Sequence, residues 1–316
     1  MTTTPTDVGT LTAAQADAVL DNLSHAFVNP LRSPILHTPA EENLEFEDVT
    51  FPSADGVPLE GWFIPADSDR LVIANHPMGF NRSGLPSHLE PWLSIWGPSG
   101  NNFEVNFVPD YRILHEAGFN VLAYDLRNMG LSGAANGGAV TSGLYEGRDV
   151  LGSLAYAASR TETKNMQVGL FSRCLGANST FAAMRQDQNK FANIKCLVAC
   201  QPVSDRVIMR RMLDILGVGG DRIDDLDRRV KLGTSVGFGE RPDAAWAKYV
   251  RIPTYLYGVH ADSLTDPDDL EHMFDALDVE DKELAWVEDT TARWDGYLEF
   301  QRRPEPMIEW LSKHMN

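Results

Sequence analysis

The run Gly169-Leu170-Phe171-Ser172-Arg173-Cys174-Leu175-Gly176-Ala177-Asn178 contains the residue of this chain best placed to act as a nucleophile. An apolar stretch that reads as a strand, 166–171, runs into a thiol, and a helical pattern, 175–186, leaves it. Ser172 and Gly176 flank Cys174 two positions to either side. This small-x-nucleophile-x-small spacing suits a sharp strand-to-helix turn, where larger groups would collide. The N-terminus of the following helix favours an anion through its dipole and unpaired N–H groups, and the cation of Arg173 should do the same. The thiolate is the attacking form of cysteine, so the chemistry implied is attack on a carbonyl carbon. Cys196 and Cys200 lie inside another apolar strand run and read as inert core.

On these residues the chain resembles the α/β-hydrolase superfamily, in the variant with a cysteine at the elbow that is familiar from dienelactone hydrolases. The segment 120–133, NVLAYDLRNMGLSG, is similar to the superfamily's strand followed by a D-x-R-G-x-G-x-S turn, with Asn128 in place of the first glycine. Asp125 and Arg127 are expected to hold loops there. The resemblance covers nearly the whole chain from Leu44 onward. It implies an oxyanion hole from two backbone N–H groups, one after the nucleophile and one in the loop Asn75-His76-Pro77-Met78-Gly79. Pro77 has no N–H to give, so Met78 and Leu175 are the expected pair. His76 is placed with the pocket wall, bracing of its own loop being the other role open to it.

The resemblance also implies an orienting acid after the seventh strand. Tyr257-Gly258-Val259-His260-Ala261-Asp262 supplies Asp262. The catalytic histidine should follow the eighth strand, but that loop, 288–297, carries Arg293-Trp294 instead, and no histidine occurs between His272 and His314. Three readings stay open. His260, two residues from Asp262 and on its side of an extended strand, could be a relocated base. Alternatively, Cys174 is already a thiolate, Arg293 binds an anionic substrate or acyl group, and deacylation is slow. In the third reading the site has lost hydrolysis and only binds. Trp92, Trp96, Trp294 and Arg173, with His88 and Tyr297, could wall an apolar ligand pocket.

Positioning these groups takes an alternating series of elements. A helix is expected over 10–27, a hairpin over 44–64 with its turn at Asp55-Gly56, and strands at 71–74, 120–124, 166–171, 194–200, 254–257 and 283–287. Helices fall between them at 108–117, 143–159, 175–186, 268–277 and 304–314. The fold class is therefore α/β: an eight-stranded, mostly parallel sheet with helices on both faces and a small helical lid. The boundaries read as an N-terminal helical extension at 1–40, a core at 41–204 and 251–316, and the lid at 205–250. A long loop rich in rings, 81–107, also falls outside the alternation.

Composition narrows the partners. The 316 residues carry a formal charge of −18, which argues against a nucleic acid. No apolar run is long enough for a membrane span, and the first ten residues do not read as a secretory signal. Three cysteines cannot build a disulfide framework, which points to a cytoplasmic protein. There is no metal-ligand spacing and no nucleotide fingerprint, so neither a metal nor an organic cofactor is expected. The lid or the N-terminal helix could mediate a homodimer. The expected function is hydrolysis of a small ester, lactone or thioester through an acyl-Cys174 intermediate. The alternatives are a degenerate scaffold that binds a small molecule, or acyl-transfer, lyase or isomerase chemistry on the same fold.

Overall fold

The computed structural model describes residues 11–316. The reading of the first ten residues as free of a secretory signal, and of Thr10 as a helix start, lies outside the described residues. Eight strands form the main sheet: β1 (Glu47–Pro52), β2 (Pro58–Ile64), β3 (Arg70–Asn75), β4 (Asn120–Tyr124), β5 (Gln167–Arg173), β6 (Ile194–Cys200), β7 (Thr254–Val259) and β8 (Lys282–Val287). Their spatial order is β1-β2-β4-β3-β5-β6-β7-β8. β1 and β2 are antiparallel to each other, β2 is antiparallel to β4, and the remaining pairs are parallel.

Helices cover both faces, so the central strands are buried on both and read as continuous apolar runs. Side chains alternate across the pleat. Val72 and Ala74 of β3 enter the core of one face, while Leu71 and Ile73 enter the core of the other. The helices are α1 (Ala13–Ala26), α2 (Val108–Glu116), α3 (Gly147–Ser159), α4 (Leu175–Gln186), α5 (Asp205–Ile215), α6 (Ile223–Thr234), α7 (Pro267–Ala276), α8 (Arg293–Arg302) and α9 (Glu305–His314).

A third apolar cluster joins parts that the sequence separates. Leu20 and Phe27 from the α1 end pack with Met209 and Leu213 of α5 and with Ile223, Leu226 and Val230 of α6. Arg229 of α6 also bonds Asp17 and Asp21 of α1, at 2.9 and 2.6 Å. The N-terminal helix and the 205–250 insertion therefore share one small core above the carboxyl ends of the strands.

Two segments depart from the sequence reading. The stretch 81–107 is more than a loop: Gly84–Leu85 pairs with Val105–Asn106, and Trp92–Trp96 is a short helix. The stretch 288–297 reads as a loop, but α8 begins at Arg293. Its N-cap, Ala292, has no capping side chain, so the usual helix-start signal is missing.

Candidate active site

Cys174 sits where β5 turns into α4, with φ 48° and ψ −110°. A non-glycine residue with positive φ is uncommon and persists only where its surroundings hold it. Here the Cys174 N–H donates to the Cys200 carbonyl at 2.7 Å, and the Cys174 carbonyl accepts from the Asn178 N–H at 3.0 Å. The flanking small residues are explained by close approach. A Cβ on Gly176 would lie 2.6 Å from the Asn75 carbonyl oxygen, and the Ser172 hydroxyl accepts from Asn75 Nδ2 at 2.8 Å. The Gly176 N–H donates to the His76 carbonyl at 3.1 Å, which ties the 75–79 loop to the elbow.

That tie brings Met78 and Leu175 to the same cavity as Cys174. Neither amide takes part in a hydrogen bond among the described residues. His76 lies behind the loop and does not line the cavity. Its Nε2 accepts from the Leu126 N–H at 2.9 Å, so Nδ1 carries the proton and donates to the Pro77 carbonyl at 2.7 Å. Burial lowers its pKa, which keeps it neutral. His76 thus braces its loop and is not a wall of the pocket.

Arg173 also departs from expectation. Its guanidinium is buried, pairs with Asp110, and lies 3.8 Å from the Phe171 ring centroid and 4.4 Å from that of Phe107. On the tight turn it points into the sheet's covering layer, away from the cavity, so it is not a pocket residue. Asp125 and Arg127 hold loops as expected. Asp125 pairs with buried Arg82, and Arg127 reaches Asp149 at 2.8 Å and Asp55 at 2.5 Å.

The structure does not bring His260 to Asp262. β7 ends at Val259, so the alternation that would align residues 260 and 262 is already broken. The His260 ring is 48% exposed, faces Glu288 at 3.2 Å and rests on Trp286. Asp262 is buried and occupied elsewhere. Its Oδ1 accepts from the Leu264 N–H at 2.9 Å, and its Oδ2 accepts from Thr265 at 3.1 Å and from Arg293 Nη1 at 2.6 Å.

Arg293 is the group that meets the acid. Besides Asp262, its Nη2 donates to the Gln201 carbonyl at 2.5 Å and its Nε donates to the Tyr297 hydroxyl at 3.1 Å. As the first residue of α8 it places a cation at the positive end of a helix dipole, an unfavourable position that these acceptors offset. Burial alone would lower its pKa, but Tyr297, Asp262 and Cys174 raise it well above the ordinary arginine value. Burial also raises the Tyr297 phenol well above its usual range. Both residues line the cavity with Cys174 and stand close enough for its sulfur to act on their ionisation. Neither can accept a proton as a general base.

Sequence reasoning missed Gln201. It follows β6 with φ 50°, its Nε2 donates to the Arg293 carbonyl at 2.8 Å, and its Oε1 accepts from the Val259 N–H at 3.1 Å. A Cβ on Gly296 would strike its side chain at 2.6 Å. Its place at a strand's carboxyl end was the available signal.

The cavity measures about 600 Å³. Phe80, Trp92, Trp96, Trp294, Met209 and Met212 are among its apolar walls. Trp294 is locked in place: its N–H donates to Asn101 at 2.9 Å, its Nε1 donates to Ser87 at 2.7 Å, and its ring meets Trp96 at 5.1 Å. The 81–107 segment is thereby pinned onto α8. His88 is exposed and lies outside the wall, whereas Tyr297 belongs to it. Residues of α1, among them Val19 and Leu23, close the cavity from above. No helix among the described residues is long and apolar enough to cross a membrane.

No protein-family model matches the sequence, and no curated protein matches it significantly. Solved structures do match. An esterase of Pyrococcus furiosus superposes with a TM-score of 0.69 at 20% identity, over 92% of this chain and 99% of that one. The α/β hydrolase GrgF from Penicillium sp. gives 0.57 at 15%, over 86% and 99%. An esterase from Exiguobacterium antarcticum gives 0.53 at 13%, over 85% and 99%. The strand order and these superpositions establish the α/β-hydrolase fold.

Proposed function

We propose that this chain is an acyl-transferring enzyme of the hydrolase type, acting on a small ester, lactone or thioester through Cys174. The observation that carries the reading is Arg293 on Asp262 beside the elbow cysteine. In a conventional triad the histidine becomes a cation only after taking the nucleophile's proton. Here the cation is permanent and already paired with the acid. Such a pair keeps its charge fixed and cannot take a proton from the nucleophile or from water.

The thiolate sulfur attacks the carbonyl carbon, and the oxygen takes up negative charge facing the amides of Met78 and Leu175. As the tetrahedral species collapses, the C–S bond to Cys174 stays and the bond to the leaving group breaks. With arginine rather than histidine on Asp262 to meet it, the group departs as an anion. Thiolates, phenolates and enolates leave readily that way, while a simple alkoxide does not. Thioesters, aryl esters and enol lactones are therefore the favoured substrates. Water then restores the thiol slowly, because no acid-paired histidine activates it.

The same absence of a base favours a second outcome, transfer of the acyl group to an incoming thiol or amine that needs no activation. Stopped-flow release of a nitrophenolate tests the reading. The expected trace is a burst of about one equivalent per enzyme followed by a slow phase that added thiol accelerates. A single linear phase indifferent to thiol, or no release at all, contradicts it. The latter result favours the binding scaffold.

A further inference from the structure

The cavity carries a second polar end. Asn178, one helical turn beyond Cys174, lines it together with Ser142 and Asp205. Gly143 has φ 121°, and a Cβ there would lie 2.7 Å from the Asn178 backbone carbon, so the 141–143 turn presses directly on α4. Asp205 is only 7% exposed. Its Oδ2 accepts from the Ser142 hydroxyl at 2.6 Å and from buried Arg241 at 3.1 Å. Its Oδ1 receives no donor among the described residues. This oxygen is not sealed inside the protein, so an incoming donor can reach it.

A second carboxyl group lies behind the turn. Glu146 is fully buried behind the same turn, where it accepts from the Thr141 N–H and hydroxyl and from the Gly143 N–H at 2.8 to 2.9 Å. Glu146 has no ion-pair partner among the described residues, whereas Asp205 pairs with Arg241 through Oδ2 alone. The cavity's other ionic pair, Arg293 with Asp262, is balanced within itself. Asp205 is the acidic residue of the cavity wall beyond that pair.

We infer that Asp205 is the recognition point for a primary ammonium group on the acyl chain of the substrate. The inference rests on the acyl-Cys174 reading, since it places the chain's far end beyond Asn178 while the carbonyl sits at the sulfur. The ammonium donates to the unpartnered Oδ1, the face of the carboxylate that Arg241 leaves free. A cavity of about 600 Å³ leaves room for water on its remaining N–H groups. The variant Asp205→Asn is diagnostic. Ser142 and Arg241 both require an acceptor, so the new amide must present its NH₂ to the cavity, where it repels an ammonium.

The test compares N-acetylcysteamine thioesters of straight-chain acids of matched length ending in an amine, a hydroxyl or a methyl group. Wild type should favour the amine by about 10-fold or more in kcat/KM, as a charge-assisted hydrogen bond provides. D205N should bring the ratio to about one, the methyl-ended substrate serving as its internal fold control. Equal treatment of the three ends by wild type, or a preference that survives D205N, overturns the inference. If no thioester acylates Cys174, calorimetry with hexylammonium separates the two claims. Binding that weakens about 10-fold in D205N upholds the subsite and sinks the acyl-enzyme reading. No binding to wild type sinks the subsite.

Discussion

Arg293 Nη1 donates to Asp262 Oδ2 at 2.6 Å, both side chains being almost fully buried. This pair occupies the place where the resemblance to α/β hydrolases calls for a histidine. A histidine would cycle between neutral and charged. Arginine keeps the charged member permanently, so the site holds a fixed ion pair there and gives up proton shuttling.

Arg293→His should restore the shuttle. A histidine at the start of α8 can still donate to Asp262 and can take a proton from water. Steady-state turnover of a nitrophenyl ester should rise by at least about tenfold, within the range usual for general-base catalysis. Unchanged or lower turnover in a folded variant would show that something other than a missing base limits the enzyme. Arg293→Met, by contrast, strands the Asp262 carboxylate in a buried site. It should lower stability by about 3–5 kcal/mol in denaturant unfolding.

His260→Ala should change almost nothing. The ring is half exposed and its partner Glu288 is 60% exposed, so the pair is worth no more than a few tenths of a kcal/mol. Burst amplitude and turnover should stay within about twofold of wild type, since general-base removal would cost about 100-fold or more. A loss of that size would restore His260 as the base.

The pH profile follows from the direction of two shifts. The folded-state pKa values of Arg293 and Tyr297 are both raised well above ordinary values, so both groups keep their protons as pH increases. Burst rate should therefore show no loss from either group through the alkaline range in which the protein remains folded. A second inflection near the ordinary histidine value of about 6.5 would reveal a base this account lacks.

Gly176→Ala tests the elbow's geometry. The added methyl meets the Asn75 backbone at 2.6 Å, and backbone cannot move aside cheaply. Stability should fall by about 1–3 kcal/mol, with loss of the burst. A neutral effect on both would mean that the loop and helix are less tightly joined than the His76–Gly176 hydrogen bond indicates.

Much of this was legible beforehand because local rules and global fold agree. A hairpin turn marked the first two strands of the sheet, short strand-like runs marked the other six, and the spacing around Cys174 marked the elbow. Asp262 was legible from its strand end, although its partner was not. His260 looked plausible only while β7 was assumed to continue past Val259. Arg173 looked like a site residue because adjacency in sequence says nothing about direction on a tight turn. The start of α8 carried no cap, and that hid the helix which seats Arg293. The joint core of α1, α5 and α6 depends on contacts between segments nearly 200 residues apart, which periodicity cannot register.

The central claim is that Cys174 takes an acyl group and releases it slowly. Intact-mass measurement after brief exposure to an aryl ester or thioester, on wild type beside Cys174→Ala, tests it most directly. The account predicts one acyl mass on wild type that persists after the leaving group is released and clears when thiol is added, with none on the variant. An equal adduct on Cys174→Ala, or no adduct on wild type across activated esters and thioesters, would contradict it.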